Sequence, residues 1–122
     1  MKEQDLIKLI LPKGLLKYFE ILNIKESTES YHIYLQERNI IPEGYSNNKI
    51  HSKGFYEPAT IQDFPLRGKA CYLVVKRRRW INIDTGDIII RDWNVIAKGT
   101  RLTVEFATFL KESNRYISNK YP

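Results

Sequence analysis

Cysteine and histidine are scarce in this 122-residue chain, which contains one cysteine, Cys71, and two histidines. A single cysteine excludes an internal disulfide, and the absence of any C-x-x-C or H-x-x-x-H pair argues against a zinc site. Cys71 lies in an apolar run, so we interpret it as a small buried hydrophobe. The sequence predicts no metal and no cofactor, and the lack of paired cysteines suits a reducing cytoplasm.

Long apolar runs are also missing. No window approaches the roughly 18 apolar residues that a membrane-spanning helix requires. The apolar stretch Leu9–Leu11 is too short for the hydrophobic region of a signal peptide and is bracketed by charges. These absences predict a cytoplasmic protein with no membrane segment.

The short motifs of common catalytic sites are absent as well. The chain contains no P-loop, no G-x-S-x-G and no dinucleotide fingerprint. Several carboxylates could be assembled into a metal-binding cluster, but turn and helix-start positions explain them more simply. They are Asp63, Asp84, Asp87, Asp92 and Glu105. The sequence therefore predicts a protein that is not an enzyme, and a small nuclease is the least favoured alternative.

Positive charge is present and is unevenly placed. The net charge is +6, and residues 1–60 hold eight Lys/Arg and eight Asp/Glu, so that half is neutral. Residues 61–122 hold twelve Lys/Arg and six Asp/Glu and carry the whole excess. We interpret 1–60 as a structural half and 61–122 as a half that contacts DNA.

Four consecutive cations followed by tryptophan, Lys76–Trp80, are the densest part of that charge. They follow the apolar run Cys71–Val75 and precede a turn at Asp84–Asp87, which is typical of a β-hairpin. Clustered cations repel one another by about 1 kcal/mol per close pair in water, and a polyanion relieves this. The pattern predicts a ribbon that projects beyond the core and binds nucleic acid, and the alternative is a ribbon whose charges serve solubility.

The DNA-binding residues predicted from this pattern include the ribbon and its basic neighbours in the sequence. They are Lys76, Arg77, Arg78, Arg79, Trp80, Arg91, Lys98 and Arg101. Strand alternation would point Arg77 and Arg79 one way and Lys76 and Arg78 the other. Trp80 and Trp93 could each stack on a base or fill the core, and the sequence leaves both readings open.

The apolar spacing predicts a single α+β domain over 1–122, with two short N-terminal helices, two β-hairpins in a small antiparallel, metal-free ribbon-like sheet, and a C-terminal helix. The predicted bounds are helices over 4–10 and 13–19, a hairpin from 22–25 and 31–36, a loop over 39–54, a short strand at 60–62, a hairpin from 69–83 and 88–93, and a helix after Gly99–Thr100. An apolar stripe is predicted along one side of that last helix, and Thr103 or Thr100 is expected to cap the helix N-terminus.

Three runs of the sequence carry a family resemblance: 61–69 (IQDFPLRGK), 72–80 (YLVVKRRRW) and 91–103 (RDWNVIAKGTRLT). Together they resemble the N-terminal region of bacterial insertion-sequence transposases, in particular a group related to the ISL-three type in which this region is a separate protein. The resemblance covers most of the chain and is firmest over 52–111. It implies a partner that carries the catalytic DDE core.

In that wider family the region contains a zinc ribbon with arginines, an aromatic residue and then C-x-x-C-G. Here Arg77–Trp80 match the lead-in and Gly86 matches the glycine, while Asn82 and Thr85 stand at the cysteine positions. The upstream cysteine pair would fall near Ile41 and Gly44. All four ligands are missing, so the resemblance implies a ribbon held by apolar residues without metal.

The favoured function is a non-catalytic module that binds double-stranded DNA. The resemblance implies that the DNA is the terminal repeats of a mobile element, presented to a separate catalytic transposase subunit. The alternative is a protein-interaction module that docks on the catalytic chain and does not bind DNA by itself. A homodimer is compatible with the sequence.

Overall fold

The computed structural model describes residues 10–12, 14–45, 48–91 and 101–120, with side chains of the last helix described as far as Ser113. The helices and strands in these ranges are, in chain order, α1 (Leu15–Tyr18), β1 (Phe19–Glu26), β2 (Ser30–Glu37), β3 (Ile50–Phe55), β4 (Ala59–Leu66), β5 (Lys69–Lys76), β6 (Arg78–Asn82), β7 (Ile88–Ile89) and α2 (Val104–Lys120). This composition confirms the predicted α+β class.

The larger sheet has four strands in the order β1-β2-β5-β4. Strands β1 and β2 form the first predicted hairpin, and its turn is closed by a 2.8 Å hydrogen bond from the Ser27 amide to the Ser30 carbonyl. Strands β4 and β5 are also antiparallel, but β2 and β5 run parallel. The described sheets are thus mainly antiparallel, as predicted, and the β2–β5 pair is the exception, because a parallel pair requires a crossover that local periodicity does not reveal.

The main core lies on one face of this sheet, which helix α1 helps to cover. Alternation along β2 and β5 buries every second side chain, as expected for a sheet with one packed face. The buried cluster consists of Leu11, Leu15, Phe19, Ile33, Leu35, Ile61, Cys71, Leu73 and Val75. Cys71 is thus the buried hydrophobe that its apolar run predicted, and burial raises the pKa of its thiol to about 11.

The smaller sheet has three strands in the order β3-β6-β7. The predicted second hairpin is present as the β6–β7 pair, in which Trp80 lies opposite Ile89. Two boundaries were wrong: the strand over 69–83 is interrupted at Arg77, and 50–54 forms part of β3 rather than a loop. The polar composition of 50–54 conceals a strand whose pairing with β6 supplies its stability.

The C-terminal helix begins as predicted, and Thr103 caps it. The Thr103 hydroxyl accepts a 3.2 Å hydrogen bond from the Phe106 amide. Phe106 is buried against Phe64, whereas Phe109, two turns along the predicted stripe from Leu102, is exposed. The stripe is therefore only partly packed against β4.

Several predictions fall outside the described residues. They concern the helix over residues 4–9, the capping role of Thr100, the side chain of Lys98, and Asp92 and Trp93 in the return strand of the second hairpin. Of the predicted helix over 13–19, the structure contains Leu15–Tyr18.

Candidate nucleic-acid interface

The cationic run lies where the two sheets meet. Strand β5 ends at Lys76, strand β6 begins at Arg78, and Arg77 is the link between them. The Arg77 carbonyl accepts a 2.9 Å hydrogen bond from the Tyr56 amide, which attaches this link to the end of β3. The run is therefore a junction held by both sheets, and not the free ribbon that the sequence predicted.

Glu37 controls which of these cations reach the surface. It is the last residue of β2 and is 1% exposed. The parallel register sets Gln36 beside Lys76, so the Glu37 side chain arrives at the start of β6. Its Oε1 accepts a 3.1 Å hydrogen bond from the Arg78 amide. A carboxylate this deeply buried is stable only when partners satisfy it, and Trp80 and Arg91 join Arg78 in doing so.

Arg78 is the first of these partners, and its guanidinium is used internally. Its Nε donates to the Glu37 carbonyl at 2.9 Å, and its Nη1 donates to the Ser52 hydroxyl at 3.0 Å. The guanidinium also lies 4.8 Å from the ring centroid of Phe55. Predicting Arg78 as an outward phosphate ligand was wrong, because its donors are directed into the junction.

Trp80 is the second partner. It is 1% exposed, and its indole Nε1 donates to Glu37 Oε2 at 2.6 Å. Of the two readings that the sequence left open, the core reading applies to Trp80. Its inclusion among the DNA-binding residues was wrong, because a ring covered on both faces cannot stack on a base.

Arg91 is the third partner and is 7% exposed. Its Nε lies 3.2 Å from Glu37 Oε2, its Nη2 donates to the Ile40 carbonyl, and its guanidinium carbon stands 4.3 Å from the Tyr18 ring centroid. A buried arginine with a carboxylate partner is a structural ion pair. Predicting Arg91 as a DNA ligand was therefore also wrong.

Three cations of the predicted run remain accessible. Arg79 is exposed on β6, while Lys76 and Arg77 are half-buried. Lys76 Nζ lies 4.8 Å from the ring centroid of Phe55, and the Arg77 guanidinium carbon lies 5.9 Å from that of Tyr56. An aromatic face holds a cation without neutralising it, so these charges stay available to an anion.

Strand β3 supplies residues that the sequence reasoning missed. Phe55 and Tyr56 are the rings beneath the cations, and Lys53 adds an exposed charge two residues earlier. The signal was a pair of adjacent aromatic residues that closely follows Lys53, and Lys53 itself fell in the loop predicted over 39–54. We define the basic–aromatic ridge as Lys53, Phe55, Tyr56, Lys76, Arg77 and Arg79.

The ridge is not neutralised by its surroundings. In the part of the chain that the structure describes, the salt bridges join Lys49 to Asp84, Lys69 to Glu26 and Arg91 to Glu37. None of the four ridge cations takes part in them. Positive potential therefore accumulates at the sheet junction.

Arg101 is exposed but stands apart from the ridge. Its carbonyl accepts a 2.7 Å hydrogen bond from the Gln62 amide on β4, and Gln62 lies opposite Tyr72 on β5. Tyr72 precedes Lys76 by four residues, about 13 Å along the strand. Arg101 could extend a DNA-contacting surface, but the described contacts do not bring it to the ridge.

The turn at the end of the second hairpin is closed by side chains at the positions where the resemblance placed zinc ligands. Asn82 Oδ1 accepts hydrogen bonds from the amides of Asp84 and Thr85, at 2.9 and 3.3 Å. The Thr85 hydroxyl accepts one from the Asp87 amide at 3.2 Å. Asn82 and Thr85 thus satisfy the turn amides with oxygen acceptors.

The buried carboxylate beside the C-terminal helix has a structural role. Asp63 is buried on β4, and Thr103 Oγ1 donates to its Oδ1 at 2.9 Å. Burial raises the pKa of Asp63 above its ordinary value. Within the described ranges, no three His, Cys, Asp or Glu side chains converge as metal ligands would.

Comparison of the chain with protein-family models, curated proteins and solved structures found no match. Among the described residues, no helix combines the length and apolarity needed to cross a bilayer.

Proposed function

We propose that this protein binds double-stranded DNA through the basic–aromatic ridge. The observation that carries the proposal is a set of four cations that lie at one sheet junction, two of them on aromatic rings, without carboxylate partners among the described residues. Phosphates are the ligands that such a set fits, since arginine presents a planar fork and lysine a point charge. The family resemblance supports the same choice of ligand.

We further propose the role of a non-catalytic transposase module. In this role the protein recognises the terminal repeats of a mobile element and presents them to a separate DDE catalytic subunit. The support for this finer statement is the resemblance over 61–69, 72–80 and 91–103. Selection from a random duplex library tests it, because the enriched motif should match the ends of the element that encodes the protein.

The ridge makes a quantitative prediction for the salt dependence of binding. If each of the four cations neutralises one phosphate, the logarithm of the association constant should fall with the logarithm of the salt concentration with a slope of about −3.6. Replacing Arg77 and Arg79 by alanine should reduce the magnitude of that slope by about 1.8. Fluorescence anisotropy of a labelled duplex, titrated at several salt concentrations, measures both values.

A matched control distinguishes DNA binding at the ridge from a general effect of net charge on affinity. The variant Lys17→Ala/Lys25→Ala removes the same charge from exposed positions near the opposite edge of the larger sheet. This control should retain most of the affinity. Equal losses in the two double variants, or no measurable binding by the natural protein, would contradict the proposal.

One observation favours the alternative of docking on the catalytic chain. Phe109 and Leu110 of α2 are exposed, although the ring of Phe109 contacts Phe64 at a centroid distance of 5.5 Å. Exposed apolar groups on one helix face suit a protein partner. The test measures binding of Phe109→Ser/Leu110→Ser to a purified DDE chain from the same element. Loss of this binding, with DNA affinity unchanged, would support docking.

A further inference from the structure

The outer face of the smaller sheet presents isoleucines that none of the described residues covers. The strand register sets His51, Ile81 and Ile88 side by side on this face, while Ser52, Trp80 and Ile89 share the other. Ile88 is 51% exposed, and the adjacent Ile83 and Ile90 are 50% and 56% exposed. We define the isoleucine face as Ile81 and Ile88, which the register pairs, with Ile83 just beyond the end of β6. Ile90 instead lines a pocket with Tyr18 and Arg91.

Such a grouping is unusual for the surface of a single chain. Scattered exposed apolar residues need no explanation, but a cluster of large ones on one small sheet marks an interaction site. The opposite face of the same sheet buries Trp80, so the sheet does not lack a core. The exposed isoleucine face is therefore explained by a binding partner. It is not explained by a missing core of the smaller sheet.

The charges around the isoleucine face have opposite signs at its two ends. Arg79, on the same face by strand alternation, and Lys53 form a basic end. Asp84 and Asp87 are exposed at the turn, where Lys49 lies 3.4 Å from Asp84 and leaves one net negative charge. Arg79 stands about 10 Å along β6 from Asn82, where the strand ends and the turn begins.

We infer that the isoleucine face is the contact between two copies of this chain. A two-fold axis through the face places isoleucine on isoleucine and turns the basic end of each copy toward the acidic turn of the other. Arg79 of one protomer then pairs with Asp87 of its partner, and the reciprocal pair forms at the same time. Both apolar and charged features are satisfied by one symmetric arrangement.

Other occupants fit this face less well. A uniformly acidic protein would meet Asp84 and Asp87 with like charge, and a uniformly basic one would meet Arg79 and Lys53 in the same way. DNA would bring phosphates against exposed isoleucines, which offer no donors. A second copy is the occupant whose charges reverse along the face, as those of this chain do.

The size of the face sets the expected strength. Stable interfaces use about 20–30 residues on each side, and the isoleucine face with its charged ends has fewer than half of that. We therefore expect a weak dimer whose population rises with protein concentration. Sedimentation velocity of the full chain over a micromolar concentration series is the measurement, with the monomer mass of 14.5 kDa as the reference.

Charge exchange provides the decisive variants. Arg79→Glu and Asp87→Arg should each weaken association by at least about tenfold, because each change creates two like-charge contacts. The double variant Arg79→Glu/Asp87→Arg should restore the dimer, since the pair is re-formed with its signs reversed. Ile88→Asp should abolish the dimer, and Leu22→Asp, which alters a 54% exposed residue on the edge strand β1, should not.

Three results of these experiments would contradict the dimer. A natural protein that stays monomeric, single variants that dimerise normally, or a double variant that stays monomeric would each overturn the inference. Circular dichroism of every variant confirms that the exposed substitutions leave the fold intact. The inference does not rest on the proposed function, because the assay contains no nucleic acid. Arg79 and Lys53 also belong to the basic–aromatic ridge, so the dimer contact and DNA compete for Arg79.

Discussion

The two sheets of this protein are stabilised in different ways, and the difference explains where its function is expected. The larger sheet buries an apolar cluster on one face. The smaller sheet is attached through a polar centre, where Glu37 binds Trp80, Arg78 and Arg91. A sheet that is held from one side by hydrogen bonds and an ion pair leaves its outer face and its edges free. The basic–aromatic ridge and the isoleucine face both belong to this freer region.

The same comparison applies to the arginines. Arg78 and Arg91 direct their guanidinium groups to internal acceptors, while Arg79 is exposed and Arg77 is half-buried with its guanidinium near the Tyr56 ring. All four have the same chemistry, so their roles follow from whether a buried acceptor lies within reach. The predictions below test whether the two sheets, and the two kinds of arginine, can be separated experimentally.

The largest effect is expected from removing the polar centre. Glu37→Ala leaves the buried Arg91 guanidinium and the Trp80 indole without their acceptor, and should cost about 3–5 kcal/mol of unfolding free energy. Chemical denaturation measures this loss, and hydrogen exchange should rise most in β6 and β7. Glu37→Gln is the control, because it keeps an acceptor for Trp80 and removes the charge. Unchanged exchange in β6 and β7 would contradict the role of Glu37.

A slightly smaller loss of unfolding free energy is expected when a residue is truncated in the apolar core of the larger sheet. Leu73 is fully buried, and Leu73→Ala should cost about 2–5 kcal/mol through lost burial and the cavity left behind. In contrast to Glu37→Ala, this variant should speed exchange across β2, β4 and β5 together. DNA affinity should be unchanged wherever the variant remains folded. A selective loosening of β6 and β7 would show that the two sheets are not energetically distinct.

The smallest effect concerns the pH dependence of stability. Burial raises the pKa of Asp63 above its ordinary value of 3.8, so the folded state holds this proton more tightly than the unfolded state. Above the pKa of Asp63 in the folded state, burial of the ionised carboxylate lowers the free energy of unfolding. This loss is relieved as the pH falls from the folded pKa toward 3.8, and this group's contribution to stability rises over that window.

Asp63→Asn isolates this contribution. Asparagine keeps an acceptor for the Thr103 hydroxyl and has no ionisable group, so the variant should lack the acid-side gain. Denaturation midpoints of both proteins over a pH series measure the difference, which should shrink toward pH 3.8. Thr103→Ala removes both the helix cap and the hydrogen bond to the Asp63 carboxylate, so it should destabilise by about 1 kcal/mol in acid and by more above the folded pKa of Asp63. A pH-independent difference for Asp63→Asn would exclude a titrating Asp63.

Parts of the candidate site were predictable from the sequence. The cations at Arg77 and Arg79 are accessible, but three of the six ridge residues lie within 1–60, the half to which net charge assigned a structural role. The burial of Glu37 was also readable in principle, because it has the same strand parity as the buried Ile33 and Leu35. The rings of Phe55 and Tyr56 were not assigned, since β3 is polar and depends on its pairing with β6.

The amino-acid sequence alone determined the α+β class, the first hairpin, the capped C-terminal helix and the burial of Cys71. These features depend on spacing within a few residues, where alternation and capping act directly. Only the tertiary structure decided which cations of the run face solvent. The reason is the parallel pairing of β2 with β5, which carries the Glu37 carboxylate to Arg78 across 41 residues of chain. Local patterns contain no information about that contact, which turns one cation of the run, Arg78, inward and leaves Lys76, Arg77 and Arg79 accessible.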